Sequence, residues 1–220
     1  MKTKSTISEL LMFAPLLIAA LYVSIIWQQI PARMASHFDL TGNADGWANK
    51  STVAWEGIGL TVFMYVLLRF LPAISLKGRL QSANYHKLRF IIMLLIPVPL
   101  VGVFYMATHP TDSQAFLSPL LALVSLLMAG IGNYMTNIKP NWFVGIRTPW
   151  TLMSETVWRK THHMGGRLLF AGGLLAAVLA LVVPMPYTVA VVMGVILTAT
   201  IIPVVYSYIY FRQEKTHQLS

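Results

Sequence analysis

The sequence contains no cysteine and few charged residues. Of its 220 residues none is Cys and 10% are Asp, Glu, Lys or Arg, whereas about a quarter of a typical soluble domain is charged. Without Cys there is no disulfide framework, no thiolate nucleophile and no thiolate metal ligand. The composition therefore excludes a disordered chain, a secreted disulfide scaffold and a cytosolic enzyme of ordinary type.

Hydrophobic residues instead make up 56% of the chain, and the mean hydropathy is +0.66. A helix needs about 20 mostly apolar residues to cross a bilayer. Six stretches meet this requirement, and they lie at about 10–30, 54–75, 88–107, 115–135, 166–183 and 187–211. The sequence therefore predicts an all-α fold, an integral membrane bundle of six transmembrane helices. Kinks are expected at Pro97, Pro99 and Pro203, because each proline removes a backbone donor inside a span.

The basic residues are distributed unevenly between the two ends of the predicted bundle. Thirteen of the 16 fall in the N-terminus, the second and fourth loops and the C-terminus, against only Arg33 and Lys50 in the other three loops. Cytoplasmic loops are enriched in Lys and Arg, so we expect both termini in the cytoplasm. This topology explains the basic balance, and direct nucleic-acid binding is not expected.

The predicted spans divide the chain into two regions. Residues 1–76 form an N-terminal region with two transmembrane helices and an outer loop at 28–53. Residues 77–220 form a C-terminal region with four transmembrane helices and a cytoplasmic motif loop at 133–166. We expect the first helix to be retained, because it is long and no clear signal-peptidase site follows it.

The outer loop carries turn-forming residues. Gly, Asn and Asp recur between residues 39 and 46, and these residue types favour tight turns. Alternate polar residues there resemble a calcium loop, but Ala44 stands where an EF-hand requires Gly and Lys50 where it requires Glu. We therefore expect no metal site, and we expect His37 to hydrogen-bond the turn. Trp47 suits the membrane interface.

The inner loop contains a helix start. Thr148 followed by Pro149 is a favourable N-cap and first-turn pair, and it predicts a short interfacial helix from about Pro149 to Met164. On a helical wheel one apolar stripe is formed by Trp150, Met153, Val157 and Met164. The opposite face is formed by Glu155, Arg159 and His162, with Glu155 and Arg159 spaced for an ion pair. Trp158 borders both faces.

Two arginines admit more than one interpretation. Arg147 lies beside Gly145 and before a helix start, where a cation and free amides favour an anion such as a lipid phosphate or a carboxylate. The alternative is a structural arginine that ties the loop to carbonyls or to Glu155. Arg69 lies near the inner end of the second span, where it either snorkels to the interface or acts as an intramembrane charge.

The predicted helices offer packing features rather than chemistry. Two rows of small residues, Gly172, Ala176 and Ala180 with Ala190, Gly194 and Thr198, predict a close approach of the fifth and sixth spans. The sequence has no H-E-x-x-H, G-x-S-x-G or P-loop pattern, so we expect no catalytic residue, metal or cofactor.

Residues of both loops resemble a known family. The stretch Lys139-Pro140-Asn141-Trp142-Phe143-Val144-Gly145-Ile146-Arg147-Thr148-Pro149-Trp150-Thr151-Leu152, with Trp158, Thr161 and His162, resembles the SdpI-type bacterial immunity protein family. The outer segment, with Pro31, His37-Phe38, Gly42, Gly46-Trp47 and Lys50, is similar to the small uncharacterised domain that accompanies the N-terminal half of that family.

The resemblance implies a multi-pass protein of a bacterial plasma membrane, in contact with membrane lipids. It also implies protection from a secreted peptide toxin that dissipates the membrane potential, and signalling by retention of a small cytoplasmic transcriptional repressor at the membrane. It transfers no catalytic residues to this chain.

We hypothesise that the outer loop recognises the toxin through His37, Phe38, Asp39, Asp45 and Trp47. The cytoplasmic motif would bind a partner or an anion through Asn141, Arg147, Trp150, Glu155, Trp158 and His162. The alternative is a transporter or membrane enzyme that acts on a lipid or amphiphile through Arg147, Glu155 and His162, although no deep intramembrane carboxylate supports it. A third hypothesis is a sensor that docks a partner through the helix at 150–164.

Overall fold

The computed structural model describes residues 2–41, 43–74, 83–109, 113–142, 144–185 and 187–219. Over these ranges the chain forms eight helices and one two-stranded sheet. The elements are α1 (Lys2–Ile26), β1 (Arg33–Phe38), β2 (Ala44–Asn49), α2 (Lys50–Ile74), α3 (Ala83–Leu95), α4 (Pro97–Thr108), α5 (Ser113–Met135), α6 (Pro149–Met153), α7 (Glu155–Val182) and α8 (Thr188–Leu219). Residues 75–82, in the basic second loop, lie outside the described residues.

Six helical segments of the described chain are long and apolar enough to cross a membrane, which confirms the predicted bundle. They are Glu9–Ile26, Lys50–Pro72, Tyr85–Thr108, Phe116–Met135, Glu155–Val182 and Thr188–Thr216. The third consists of α3 and α4, and the helix is interrupted at Ile96, directly before Pro97, which lacks an N–H group. By contrast, α8 continues through Pro203. The protein is thus a multi-pass membrane protein.

The fifth span begins earlier than the sequence predicted. Instead of one interfacial helix over 149–164, α6 ends at Met153, Ser154 is extended (φ −130°, ψ 124°), and α7 runs unbroken from Glu155 to Val182. The Ser154 hydroxyl accepts a hydrogen bond from the Val157 amide (3.2 Å), so it caps a new helix at this point. Residues 155–164 therefore belong to the spanning helix.

The outer loop forms a β-hairpin, which the turn residues alone had not revealed. β1 and β2 pair antiparallel, with Met34 opposite Ala48 and Ala35 opposite Trp47. Met34 is fully buried in a core cluster that includes Ile30, Val53 and Phe104. The hairpin is therefore packed onto the ends of α1, α2 and α4.

Glycines bring α5 and α7 into close contact. A Cβ on Gly132 would lie 2.5 Å from the Phe170 amide nitrogen, and one on Gly173 would lie 2.6 Å from that of Ala129. Small residues allow such backbone approach between membrane helices. The tight interface thus involves the fourth and fifth spans.

The predicted contact of the fifth and sixth spans is confirmed for one row and wrong for the other. Gly172 of α7 faces Ala199 of α8, at 3.1 Å from the position of its Cβ. Ala176 and Ala180 are buried in a cluster with Val192. At Gly194, however, a Cβ would meet no described heavy atom within 4 Å.

Candidate functional site

The motif loop, defined here as residues 136–148 between α5 and α6, is closed by an asparagine. The buried Asn141 side chain donates hydrogen bonds to the carbonyls of Lys139 (2.9 Å) and Val144 (3.1 Å), and its Oδ1 accepts one from the Val144 amide (2.7 Å). Since a side chain replaces backbone partners here, the loop keeps a defined turn without regular secondary structure. Phe143 lies outside the described residues.

At Gly145 the backbone lies against the buried ring of His162. Its φ of +115° lies in a region that L side chains rarely adopt. A Cβ there would lie 2.1 Å from Nε2 of His162. Only glycine satisfies both constraints, which is why the following amide, that of Ile146, reaches His162 and donates to Nε2 at 3.0 Å.

Trp158 and His162, one turn apart on α7, form what we call the clamp. Their rings stack with centroids 4.0 Å apart at 17°, and the two side chains are 0% and 1% exposed. Trp158 Nε1 donates to the Ile138 carbonyl (2.8 Å) at the start of the loop, and His162 holds the Ile146 amide near its end. The clamp therefore fastens both ends of the motif loop to α7.

The hydrogen bonds define the state of the His162 ring. Nδ1 donates to the Trp158 carbonyl (2.9 Å) and Nε2 accepts from Ile146, so the ring is the neutral Nδ1–H tautomer with both nitrogens engaged. The sequence-based assignment of His162 to a polar face with Glu155 and Arg159 was wrong, because α7 buries this side against the loop. His162 is thus a structural group.

A capping box joins the motif loop to α6, as the Thr148–Pro149 pair predicted. Thr148 Oγ1 accepts from the Thr151 amide (3.3 Å), and Thr151 Oγ1 accepts from the Thr148 amide (2.9 Å). Thr151 also donates to the Ile146 carbonyl (3.0 Å). Trp150 Nε1 donates to Ser207 Oγ of α8, and its ring meets Tyr208 edge-on. Loop, α6 and α8 are therefore fixed together.

The two remaining residues of the predicted cytoplasmic motif are exposed. Arg147 Nη1 donates to the Trp142 carbonyl (2.8 Å), which is the structural role that the sequence had left open for it. Glu155 is exposed, and within the described residues no ion pair joins it to Arg159. Neither Arg147 nor Glu155 is hydrogen-bonded to the buried His162, so the three do not form a shared site.

The predicted outer residues lie together on the hairpin. His37 Nδ1 and Asp45 Oδ1 are 2.5 Å apart across the two strands, which confirms that His37 binds the turn region. Phe38 ends β1 and is half-buried, and Trp47 is 59% exposed. All five predicted residues therefore lie on the hairpin, at one end of the bundle.

Asp39 organises the turn of the hairpin. Its Oδ1 accepts hydrogen bonds from Thr41 Oγ1 (2.7 Å) and from the amides of Thr41 (2.8 Å) and Asn43 (2.9 Å). The Thr41 hydroxyl contributes most to holding the pKa of this carboxyl below its usual value, since it stabilises the anion. Asp39 therefore has a structural task, and no cluster of three or more His, Asp or Glu side chains suited to a metal occurs among the described residues.

A cluster of charges that joins the first three spans was not identified from the sequence. Arg89 of α3 makes a bidentate pair with Glu9 of α1 (both contacts 2.9 Å), Tyr65 of α2 donates to the same carboxylate (2.8 Å), and Arg69 Nε stands 3.9 Å from it. The Arg89 side chain is only 2% exposed. The available signal was the presence of Glu9, Arg69 and Arg89 at the edges of apolar stretches, because such charges in spans are almost always paired.

Comparisons with known proteins match two parts of this architecture. Residues 137–207 match the SdpI/YfhL protein family, and residues 15–61 match a domain of unknown function (DUF1648). Immunity protein SdpI of Bacillus subtilis (strain 168) is 33% identical over 82 residues, which are 37% of this chain and 39% of that relative's length. No solved structure matches the chain.

The matched ranges coincide with the features described above. The first contains nearly all of the motif loop, the clamp and the Ser207 contact of α8. The second contains the hairpin, the C-terminal half of α1 and the start of α2. The predicted resemblance is thereby confirmed: a region similar to the SdpI/YfhL family is preceded by a region similar to the DUF1648 domain.

Proposed function

We propose that this protein is a membrane immunity protein that protects a bacterium from a secreted, membrane-active peptide toxin. The observation that carries the proposal is the 33% identity to Immunity protein SdpI, in a chain with six segments suited to membrane crossing. The protein would act in the bacterial plasma (inner) membrane, among lipids and at the place where such a toxin dissipates the membrane potential.

Toxin recognition is assigned to the hairpin surface with His37, Phe38, Asp39, Asp45 and Trp47. This assignment is supported by the exposed aromatic and carboxylate groups of the hairpin and by its packing against the ends of α1, α2 and α4. A peptide that binds there can bias the packing of three helices at once.

Signalling is assigned to the opposite end. Here Arg147 of the motif loop and Glu155 at the start of α7 are exposed to solvent. The conformation of the loop is held by Asn141, Trp150, Trp158 and His162. A small cytoplasmic transcriptional repressor would dock on this exposed surface. Arg147→Glu should then abolish capture of the repressor without loss of the protein from the membrane, and equal capture by both forms would contradict the assignment.

Protection is tested in a toxin-sensitive bacterium that expresses this chain and is challenged with a depolarising peptide. We expect cells with the wild-type protein to keep their membrane potential, read by a potential-sensitive dye. Replacing residues 31–50 with a Gly/Ser linker should remove protection at equal protein abundance.

A matched pair of point variants sharpens the test. Trp47 and Leu40 are both exposed apolar side chains of the hairpin, at 59% and 61%. Trp47→Ala should weaken protection and Leu40→Ala should leave it intact. Protection that survives the linker replacement would refute recognition by the hairpin, and equal killing with and without the protein would refute immunity itself.

A further inference from the structure

An apolar groove of about 460 Å³ opens between α1 and α2 at the hairpin end of the bundle. Its walls include Ala20 and Ala54, its floor is Leu100 of α4, and Trp27 and Trp55 stand at its rims. The groove is distinct from the hairpin surface and from the motif loop. Nothing in the proposed immunity role requires it.

The groove is concave because small residues line it. On the adjacent lipid-facing side of α1, Leu17 and Leu21 project from the helix, 65% and 62% exposed. Within the groove, Ala20 of α1 and Ala54 of α2 leave space. Gly57 lets α4 approach from below, since a Cβ there would stand 2.4 Å from Cδ1 of Leu100.

The length of the groove fits within one leaflet of a bilayer. Its lining residues on α2 run from Ser51 to Ile58, which corresponds to about 10 Å along a helix axis. Half of a hydrocarbon core is about 15 Å. Both helices at this level belong to the spanning segments, so the groove opens towards acyl chains.

Polar groups occur at the hairpin end. Ser24, Gln28 and Ser51 are uncharged, and no charged side chain lines the groove among the described residues. Directly beside it, the ammonium of Lys50 lies 4.7 Å from the centroid of the Trp27 ring and donates to the carbonyls of Trp27 (2.8 Å) and Ile30 (3.1 Å). The groove thus offers apolar walls for an acyl chain, hydroxyl and amide groups for the ester groups, and a cation for the phosphate. A phospholipid requires these environments in this order.

We propose that this groove is a binding site for one acyl chain of a phospholipid in the hairpin-side leaflet, with the phosphate near Lys50. A lipid fits better than a peptide segment, because the hydroxyl and amide side chains of the lining lie towards the hairpin end. The apolar remainder has too few hydrogen-bonding groups to satisfy an irregular backbone in the bilayer. The bound chain fills space between α1 and α2 and supports their separation around Leu100.

The test uses phosphatidylglycerol with a photoreactive diazirine near the end of one acyl chain, in vesicles that contain the full-length protein. After irradiation, mass spectrometry of peptides should place the label preferentially at 20–28 and 51–58. Ala20→Phe, which fills the groove, should lower labelling there to the level of the general lipid-facing surface. Leu21→Phe, on the neighbouring exposed position, should leave it unchanged.

A second measurement keeps the proposal testable if Ala20→Phe does not fold. The wild-type protein is labelled with a diacylglycerol that carries the same diazirine chain but no phosphate. Weaker labelling than with phosphatidylglycerol is expected, because the Lys50 contact is lost. Labelling that is spread evenly over the lipid-facing helices would contradict the proposed site. Displacement of the label by an added membrane-active peptide would also contradict it, because the groove would then bind a peptide. These readouts need no toxin challenge, so they are independent of the immunity assay.

Discussion

At the scale of residues, the conformation of the motif loop depends on a few buried polar contacts. The Ile146 amide can bond to His162 only because Gly145 has no side chain, and the Ile138 carbonyl is held by the indole of Trp158. A buried donor or acceptor that loses its partner costs about 1–3 kcal/mol. Single substitutions here should therefore have large effects compared with those on the exposed surface.

Gly145→Ala should destabilise the protein. A positive φ in a residue with a Cβ costs about 1–3 kcal/mol, and displacing His162 also breaks the bond to Ile146. The thermal unfolding midpoint of the purified protein in detergent should fall clearly. Gly59→Ala is the control, because its Cβ meets nothing described within 4 Å and alanine favours helix by about 0.5–1 kcal/mol. A midpoint equal to wild type for Gly145→Ala would contradict the placement of the loop over His162.

Thr161→Val should stabilise the protein. The hydroxyl of Thr161 is buried and has no hydrogen-bond partner among the described residues, so an isosteric apolar side chain should gain about 1 kcal/mol. Thr151 is as deeply buried but donates to Ile146 and accepts from Thr148. Thr151→Val should accordingly lower the unfolding midpoint, and opposite shifts of the two variants are the expected result.

At the scale of elements, two units show how local sequence and packing combine. The hairpin is a local unit whose turn is tied by Asp39, and its burial depends on Met34. The α5–α7 pair is joined through glycines, so its stability derives from backbone contact rather than from large apolar side chains.

The hairpin turn should loosen in acid. The pKa of Asp39 is lower in the folded turn than its ordinary value of 3.8. The charged carboxylate therefore stabilises the turn fully above pH 3.8, and this stabilisation is lost as the pH falls through the lowered pKa. Amide hydrogen exchange at Asn43, corrected for intrinsic rates, should report the loss. In Asp39→Asn, which has no charge to lose, the pH dependence should vanish; an unchanged profile would mean that another group controls the turn.

Gly173→Ala should separate α5 from α7. The new methyl would stand 2.6 Å from the Ala129 amide nitrogen and 2.7 Å from the Ser125 carbonyl, and such overpacking typically costs about 1–3 kcal/mol. Gly194→Ala, whose Cβ would meet no described atom within 4 Å, is the matched control. Equal unfolding midpoints for the two variants would show that the helices do not approach as closely as described.

At the scale of the whole molecule, the two candidate surfaces lie at opposite ends. The hairpin follows the first span and the motif loop follows the fourth, so three spans separate them. Between them, α3 packs against α1 through the Glu9–Arg89 pair, and α4 supplies the floor beneath the hairpin. A signal between the surfaces would have to pass through this middle span, whose halves meet at Ile96.

Introduced cysteines can test the orientation, because the chain has none of its own. Trp47→Cys should react with a membrane-impermeant maleimide added to intact cells, since we expect basic loops inside. Met153→Cys, at a side chain that is 74% exposed, should react only after the membrane is permeabilised. Labelling in the reverse pattern would invert the proposed sites of toxin and repressor binding.

Local sequence information was sufficient for the spans and for the start of α6. Hydropathy over about 20 residues identifies a membrane helix without knowledge of its neighbours, and the Thr148–Pro149 pair acts through adjacent amides. The resemblance of the motif stretch and the turn residues around Asp39 could also be recognised from the sequence, because both depend only on residues that are neighbours along the chain.

The roles of individual site residues were decided by the tertiary structure. A helical wheel gives relative angles but not the direction of the core, so His162 was assigned to a polar face although α7 turns it inward under Gly145. The pairing of Glu9 with Arg89 joins residues 80 positions apart, and the groove exists only where α1, α2 and α4 meet. Composition and periodicity act within one segment, whereas burial, pairing and cavities depend on which segments become neighbours.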